Sequence, residues 1–193
     1  MTTVVRETRE TRVRVELARE GGAPAGGATS GGATVAPTID TGEPFLDHML
    51  VTLSRYAGLR LGVEARGDLR HHLIEDVAIA LGTALVRFAP ERAARYGERV
   101  VPMDDALVQV ALDLGGRPYY RGPLPSSLYD HWMRSFCDHA RITLHVRVIR
   151  GRDRHHVVEA AFKALGLALR QALVEGESDV VFSTKGAVSL EVE

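Results

Sequence analysis

Histidine and glutamate residues form one pattern that occurs twice in this chain, with the chemistry of a metal site. Six of the eight histidines belong to it. Each copy has two adjacent histidines, a glutamate three residues after them, and a third histidine upstream that directly follows an aspartate. The two copies are His48, His71, His72 and Glu75, and His131, His155, His156 and Glu159. Because imidazole and carboxylate groups are common metal ligands, this repetition predicts metal binding.

The spacing decides which of these side chains can share a metal ion. On a helix, residues i and i+4 share a face, and so nearly do i and i+3, so His71 and His72 can each align with Glu75. Adjacent helical residues diverge by roughly 100°, so each histidine pair is expected to serve two metals, or one metal and one substrate. Six imidazoles and two carboxylates suit two octahedral sites of Mn, Fe, Co, Ni or Zn, and the carboxylates favour Mn or Fe.

A second set of residues has the chemistry of a phosphate site. It consists of Arg95, Arg117, Ser183 and Lys185. Arginine forks, a lysine charge and a hydroxyl group can together bind a phosphate dianion, although each residue alone is better explained as solvated surface charge. Beside a metal site they favour a phosphorylated substrate. Glu10 could be an acid–base carboxylate or an exposed strand charge, and its spacing alone favours the exposed charge.

The elements that must position these residues also occur in two similar halves. The pattern predicts an α+β fold in which each half has a sheet with helices on one face, and in which the two helix layers pack together. The expected division is 1–90 and 91–193, with a His-His pair opening the last helix of each half. Predicted strands cover 4–17, 35–39, 59–65, 105–113, 118–121 and 142–149, with a further one in the tail. Predicted helices cover 45–56, 72–89, 128–139 and 156–174.

The composition limits the cellular compartment and the classes of partner to be expected. The formal net charge of −1 gives no basic field for nucleic acid or anionic membrane, so neither partner is expected. The single cysteine excludes an internal disulfide framework and favours a reducing cytoplasm. No apolar run has the length of a membrane span, and the first residues lack the apolar region of a signal peptide. These features predict a cytoplasmic protein.

Seven short motifs, in order over nearly the whole chain, carry a resemblance to one family. They read FLDHML (45–50), HHLIEDV (71–77), PMD (102–104), DLGGRPY (113–119), TLHVR (143–147), HHVVEAAFKA (155–164) and STKG (183–186). In these residues the chain resembles imidazoleglycerol-phosphate dehydratase of histidine biosynthesis. It differs from the family in the short link from Asp68 to His71, in Leu73, where a threonine is common, and in the Gly/Ala-rich segment 20–36.

The resemblance implies a fold, an assembly and a reaction. Each half would be a four-stranded sheet with two helices, and trimers would assemble into a 24-mer. Each active site would hold two Mn²⁺ ions, with ligands from neighbouring subunits. The enzyme, a hydro-lyase, would convert D-erythro-imidazole-glycerol phosphate to imidazole-acetol phosphate through a metal-bound imidazolate.

The resemblance also implies roles for individual residues. The metal ligands would be His48, His71, His72, Glu75, His131, His155, His156 and Glu159. The catalytic residues would be Glu10, His48, Glu75 and Glu159. The phosphate would be held by Arg95, Arg117, Ser183 and Lys185. The residues alone leave two alternatives open, a dinuclear metal-dependent hydrolase of a small phosphate ester and a non-catalytic metal-dependent assembly protein.

Overall fold

Two four-stranded sheets and four helices make up the fold, as seen in a computed structural model that describes residues 1–19 and 38–175. The sheets and helices fall into two halves of the same order, which confirms the predicted α+β class with duplicated halves. None of the described helices is long and apolar enough to span a membrane.

The first half contains one sheet and two helices. Its sheet has the order β1-β2-β4-β3, in which β1, β2 and β4 are antiparallel and β3 is parallel to β4. The bounds are β1 Thr2–Glu7, β2 Thr11–Arg19, β3 Ile39–Asp40, α1 Pro44–Ala57, β4 Leu59–Gly67 and α2 Arg70–Phe88.

The second half repeats this arrangement. Its sheet has the order β5-β6-β8-β7, again with three antiparallel strands and a parallel β7 at the edge. The bounds are β5 Tyr96–Met103, β6 Ala106–Asp113, β7 Tyr119–Arg121, α3 Ser127–Ala140, β8 Thr143–Arg150 and α4 Arg154–Ala172.

One strand prediction is wrong in detail, and one strand was missed. The strand predicted over 4–17 is two strands, because residues 8–10 turn the chain and Thr8 N donates to Thr11 O over 2.9 Å. Strand β5 was not predicted, because only Gly97 and Val101 are buried in this edge strand and apolar alternation is therefore weak. The predicted tail strand lies outside the described residues. The division between 90 and 91 stays a prediction.

The helices of the two halves pack against each other in crossed pairs, α1 with α4 and α2 with α3. One glycine in each pair allows the close approach. A Cβ on Gly82 of α2 would lie 2.7 Å from Phe136 O of α3, and one on Gly166 of α4 would lie 2.9 Å from Leu53 O of α1. One hydrophobic core, which includes Trp132 and residues of both sheets, joins the halves. The crossed packing brings the N-terminal ends of the helices from different halves together.

Candidate metal centre

Three metal-ligating side chains meet where α2 contacts α3, and we call them the Glu75 cluster: His71, Glu75 and His131. His71 and Glu75 lie one helical turn apart on α2, and His131 Nε2 on α3 lies 3.2 Å from Glu75 Oε1. Glu75 Oε2 lies 3.6 Å from His71 Nε2. The two imidazole rings stack with their centroids 4.9 Å apart. Both carboxylate oxygens of Glu75 therefore face histidine nitrogens.

The matching set where α4 contacts α1 is the Glu159 cluster: His48, His155 and Glu159. Glu159 Oε2 lies 3.1 Å from His155 Nε2 and 3.4 Å from His48 Nε2. Each cluster thus takes a histidine and a glutamate from the last helix of one half and a histidine from the other half. The crossed helix pairs produce this arrangement, which the duplicated spacing alone does not reveal.

His72 is turned away from the Glu75 cluster, as its position next to His71 requires. Its Nδ1 donates to Asp68 Oδ1 over 3.2 Å and lies 3.3 Å from Glu10 Oε2. The hydrogen bond to Asp68 raises the pKa of His72, and the same bond lowers the pKa of Asp68. His72, Asp68 and Glu10 form a third group of candidate ligands. The structure therefore separates His72 from the other ligands predicted in its half.

His156 occupies the corresponding position in the second half. Its Nδ1 donates to Asp105 Oδ1 over 2.8 Å, and its Nε2 lies 3.3 Å from Asp104 Oδ2. The hydrogen bond to Asp105 raises the pKa of His156. Asp105 also accepts from the backbone N–H groups of Arg152 and Asp153, and these bonds with that from His156 lower its pKa to about 2. A carboxylate thus fixes Nδ1 of the second histidine of each pair.

Asp47 and Asp130, which precede the upstream histidines, shape the loops before α1 and α3. Asp47 Oδ1 accepts from Thr41 N over 2.9 Å and from Thr41 Oγ1 over 2.6 Å. Asp130 Oδ1 accepts from Leu124 N over 2.9 Å and from the Tyr120 hydroxyl over 2.6 Å. Sequence reasoning noted the two Asp-His pairs and gave these carboxylates no role. Their repetition was the available signal, and the structure shows that they anchor the helix ends carrying His48 and His131.

Lys163 is the one ammonium group at the two clusters within the described residues. Its Nζ lies 3.0 Å from Glu159 Oε1. Burial opposes ionisation of Glu159, but the hydrogen bond and charge of Lys163, together with His48, lower the pKa of the carboxyl below its ordinary value. Glu159 therefore stays a carboxylate although its side chain is only 8% exposed. Sequence reasoning did not select Lys163, which lies one helical turn after Glu159.

Glu10 lies in the turn between β1 and β2, beside the N-terminal end of α2. Asp76, a largely buried residue on α2, accepts hydrogen bonds from Thr11 Oγ1 and from Arg6 Nε, the latter over 2.9 Å. Thr8 Oγ1 accepts from Glu10 N over 3.1 Å. These bonds attach both strand ends to α2 and hold the Glu10 turn near His72.

The predicted phosphate residues lie elsewhere on the chain. The Arg95 guanidinium donates to Asp113 through Nε over 2.6 Å and through Nη2 over 3.0 Å, which raises its pKa. Arg117 is exposed in the loop that follows Asp113. Leu114 N donates to Arg95 O over 2.9 Å, which keeps the Arg95 segment beside that loop. Ser183 and Lys185 lie outside the described residues.

Two measures separate Arg95 from the Glu159 cluster. Strand β6 starts next to Asp105, which contacts His156, and ends at Asp113, which contacts Arg95; that is about 25 Å along an extended strand. Helix α4 carries His155 in its first turn, and Ala172 at its end accepts from Arg95 N. At the rise of an α-helix this is again about 25 Å. Within one chain, Arg95 and the Glu159 cluster lie at opposite ends of β6 and α4.

The donor set fits a divalent cation of the first transition row. His131 Nε2 is buried and makes no hydrogen bond within the described part of the chain, although Glu75 Oε1 is only 3.2 Å away. A buried nitrogen without a hydrogen bond carries an energetic cost that a bound cation removes. Two imidazoles with one carboxylate suit Mn, Fe, Co, Ni or Zn. The two clusters are therefore candidate metal sites, each with three ligands from this chain.

Comparison with known proteins places the chain in a family of enzymes. The family model described as imidazoleglycerol-phosphate dehydratase matches residues 41–169, a range that contains both clusters. The chain belongs to the imidazoleglycerol-phosphate dehydratase family.

Curated relatives support this assignment over nearly the full length. An imidazoleglycerol-phosphate dehydratase of Anaeromyxobacter sp. (strain Fw109-5) is 44% identical over 95% of this chain and 91% of its own. The protein of the same name from Pyrobaculum calidifontis is 47% identical over 95% of this chain and 97% of its own.

Solved structures agree with the fold. The crystal structure of the Pyrococcus furiosus enzyme has a TM-score of 0.80 and 37% identity, covering 95% of this chain and 99% of that one. The Staphylococcus aureus enzyme has a TM-score of 0.75 and 30% identity, covering 91% and 100%. Both are named as members of the same family.

Proposed function

We propose that this chain is a hydro-lyase that removes water from D-erythro-imidazole-glycerol phosphate and forms imidazole-acetol phosphate, a step of histidine biosynthesis. The observation that carries the proposal is the presence of two three-ligand clusters inside the segment that matches the dehydratase family. A cytoplasmic location is part of the proposal, because a single buried cysteine suits a reducing compartment.

Two Mn²⁺ ions per active site are the proposed cofactors, with Fe, Co, Ni or Zn as substitutes. The Glu75 and Glu159 clusters would each hold one ion. A bound cation would supply Lewis acidity to the imidazole of the substrate. The carboxylates of Glu75 and Glu159 and the imidazole of His48 are proposed to act in catalysis by holding the reacting end of the substrate in one orientation.

Glu10 is the proposed acid–base group. The reaction breaks a C–H bond and the C–O bond on the neighbouring carbon, so a base takes the proton and the hydroxyl leaves as water. The resulting enol becomes the ketone when its O–H loses a proton and the carbon that lost the hydroxyl gains one. Glu10 is exposed and lies beside His72. The hydrogen bond from its backbone N–H to Thr8 Oγ1 holds it in the turn. It can therefore reach a substrate and exchange protons there.

Arg95 and Arg117, with Ser183 and Lys185, are proposed to hold the phosphate. An Arg fork suits this dianion, and remote binding energy helps to orient the reacting carbon atoms. Because Arg95 lies about 25 Å from the Glu159 cluster of its own chain, we propose that it serves the active site of a neighbouring chain.

The second histidines of the two pairs support the same assembly. The Nδ1 atoms of His72 and His156 are held by Asp68 and Asp105. A carboxylate that accepts a hydrogen bond from one ring nitrogen fixes the tautomer in which the other nitrogen can bind a metal. We propose that His72 and His156 complete the clusters of neighbouring chains, in trimers that assemble into a 24-mer.

One assay tests the reaction directly. Mn²⁺-loaded protein is incubated with imidazole-glycerol phosphate, and the ketone product and free inorganic phosphate are both measured. Ketone without phosphate release supports the dehydratase. Phosphate release without ketone would instead favour the dinuclear hydrolase. No product from a metal-loaded protein would contradict both activities and favour an assembly role.

A mixing experiment tests whether active sites are shared. R95A and E10Q chains are purified separately, dissociated and reassembled together, with each variant reassembled alone as the control. If Arg95 and Glu10 of one site come from different chains, mixed assemblies recover part of the activity that both controls lack. No recovery from mixtures that reassemble fully would contradict the shared site.

A further inference from the structure

The Glu75 and Glu159 clusters are related by the duplication but differ at one position. Lys163 follows Glu159 by one helical turn, and Ile79 is the residue at the same distance after Glu75. Both positions lie on the face of their helix that carries the glutamate. One cluster therefore has an ammonium group beside its carboxylate, and the other has an aliphatic side chain there.

Lys163 is fixed in place from several sides. Its Nζ lies 3.0 Å from Glu159 Oε1, donates to Met103 Sδ over 3.1 Å, and lies 5.8 Å from the centre of the Tyr56 ring. The side chain is 18% exposed, whereas a solvated surface lysine would be largely exposed. The ammonium charge is therefore a constant part of the surroundings of Glu159.

The two glutamates consequently present different oxygens to their histidines. Glu75 uses both, with Oε1 towards His131 and Oε2 towards His71. Glu159 presents only Oε2 to His48 and His155, because Oε1 is engaged by Lys163. The Glu75 carboxylate can thus give both oxygens to one cation, and the Glu159 carboxylate gives one unless it leaves Lys163.

We infer that the two clusters bind divalent cations with unequal affinity, and that Lys163 weakens binding at the Glu159 cluster. The inference rests on the proposed function in so far as both clusters hold metal. Two effects act in the same direction: the ammonium group repels a cation, and it withdraws one oxygen from coordination. Changes in residues that contact metal ligands typically alter metal affinity tenfold to a hundredfold, so we expect roughly that difference between the clusters.

Lys163 therefore gives the metal sites an order of filling. As Mn²⁺ rises, the Glu75 cluster fills first and the Glu159 cluster second. The affinity of the second cluster then sets the metal concentration at which both sites of the protein are loaded.

The test is a titration of the metal-free, full-length assembled protein with Mn²⁺, in which free Mn²⁺ is followed by electron paramagnetic resonance. Wild type is expected to show two classes of site. K163M keeps the aliphatic stem beside Tyr56 and should tighten the weaker class roughly tenfold or more. I79K places an ammonium group beside Glu75 and should weaken the tighter class. R170M is the matched control, because it removes an exposed charge from α4 farther from the cluster and should leave both classes unchanged.

Each outcome has one meaning. Two classes that merge in K163M support the inference, and so does a weakened tight class in I79K. Equal affinity at all sites of wild type, or two classes that K163M leaves unchanged while circular dichroism shows a folded protein, would overturn it and leave the proposed function standing. Wild type that binds no Mn²⁺ would overturn the inference and the proposed metal chemistry together.

Discussion

His48 Nε2 lies 3.4 Å from Glu159 Oε2, although the two residues belong to different halves of the chain. The contact exists because α1 packs against α4. His131 and Glu75 have the same relationship across the other crossed pair. Each candidate metal site therefore depends on the packing between the halves as well as on its own ligands.

Removing the histidine that crosses between halves should affect one site at a time. We expect H48A to lose the ion of the Glu159 cluster and H131A that of the Glu75 cluster, because each cluster would keep only two of its own ligands. Bound Mn²⁺ per chain should fall by about half in either variant, as measured by elemental analysis after gel filtration. H139A, which changes an exposed histidine on α3, is the control and should keep the wild-type content. Full metal content in H48A would contradict the assignment.

Glu10 should matter for turnover and not for metal binding. E10Q keeps the size of the side chain and removes its basicity, so we expect the rate of ketone formation to fall by about 100-fold or more. Bound Mn²⁺ and assembly size should remain as in wild type. E7Q, an exposed glutamate at the end of β1, is the matched control and should retain activity. An active E10Q protein would exclude Glu10 as the acid–base group.

Gly82 and Gly166 should be intolerant of a side chain. The Cβ of G82A would meet the backbone of α3, and that of G166A would meet the backbone of α1. Because the crossed helices would have to move apart, we expect each variant to lose about 1–3 kcal/mol of unfolding free energy in chemical denaturation. T83A, next to Gly82, should change it by about 0.5 kcal/mol or less. If G82A has the same unfolding free energy as T83A, the close approach of α2 and α3 does not contribute to stability.

Cys137 should make the fold less stable at alkaline pH. Burial raises the pKa of this thiol from 9.0 to about 11, so the folded state keeps it protonated while the unfolded chain ionises it. Its contribution is therefore fully present below pH 9.0 and is lost as pH rises towards the folded value near 11. Between about pH 8 and about pH 10, wild type should lose on the order of 1 kcal/mol more unfolding free energy than C137A. Equal losses in urea titrations of the two proteins would contradict this account.

The fold could be predicted from sequence where apolar periodicity was strong. Helices α2 and α4 were predicted within a few residues, because their buried positions recur at helical spacing and Pro90 marks the chain after α2. Strand β5 was not predicted, because an edge strand with few buried residues leaves little alternation in the sequence. The family resemblance supplied the fourth strand of each sheet, which the residue pattern did not.

The sequence identified the residues of the candidate site, but it showed only partly which of them lie together. The spacing separated His71 from His72, since adjacent helical residues point in different directions. Spacing within one half could not show that His48 joins Glu159, because that contact depends on how helices of different halves cross. The role of Asp105 was missed because it lies 51 residues before His156 in the chain. The role of Asp68 was also missed, although its position four residues before His72 is a spacing that could have revealed it.

The crossed pairing of helices has a consequence for the origin of this architecture. A half-length ancestor, with one sheet and two helices, would have carried a histidine and a glutamate on its last helix and a histidine on its first, and in this fold these two helices contribute to different clusters. Only self-association through the same crossed contacts would have given such a peptide a complete set of ligands. Duplication of such a half within one gene would join in one chain a partnership that two identical molecules would otherwise have to make.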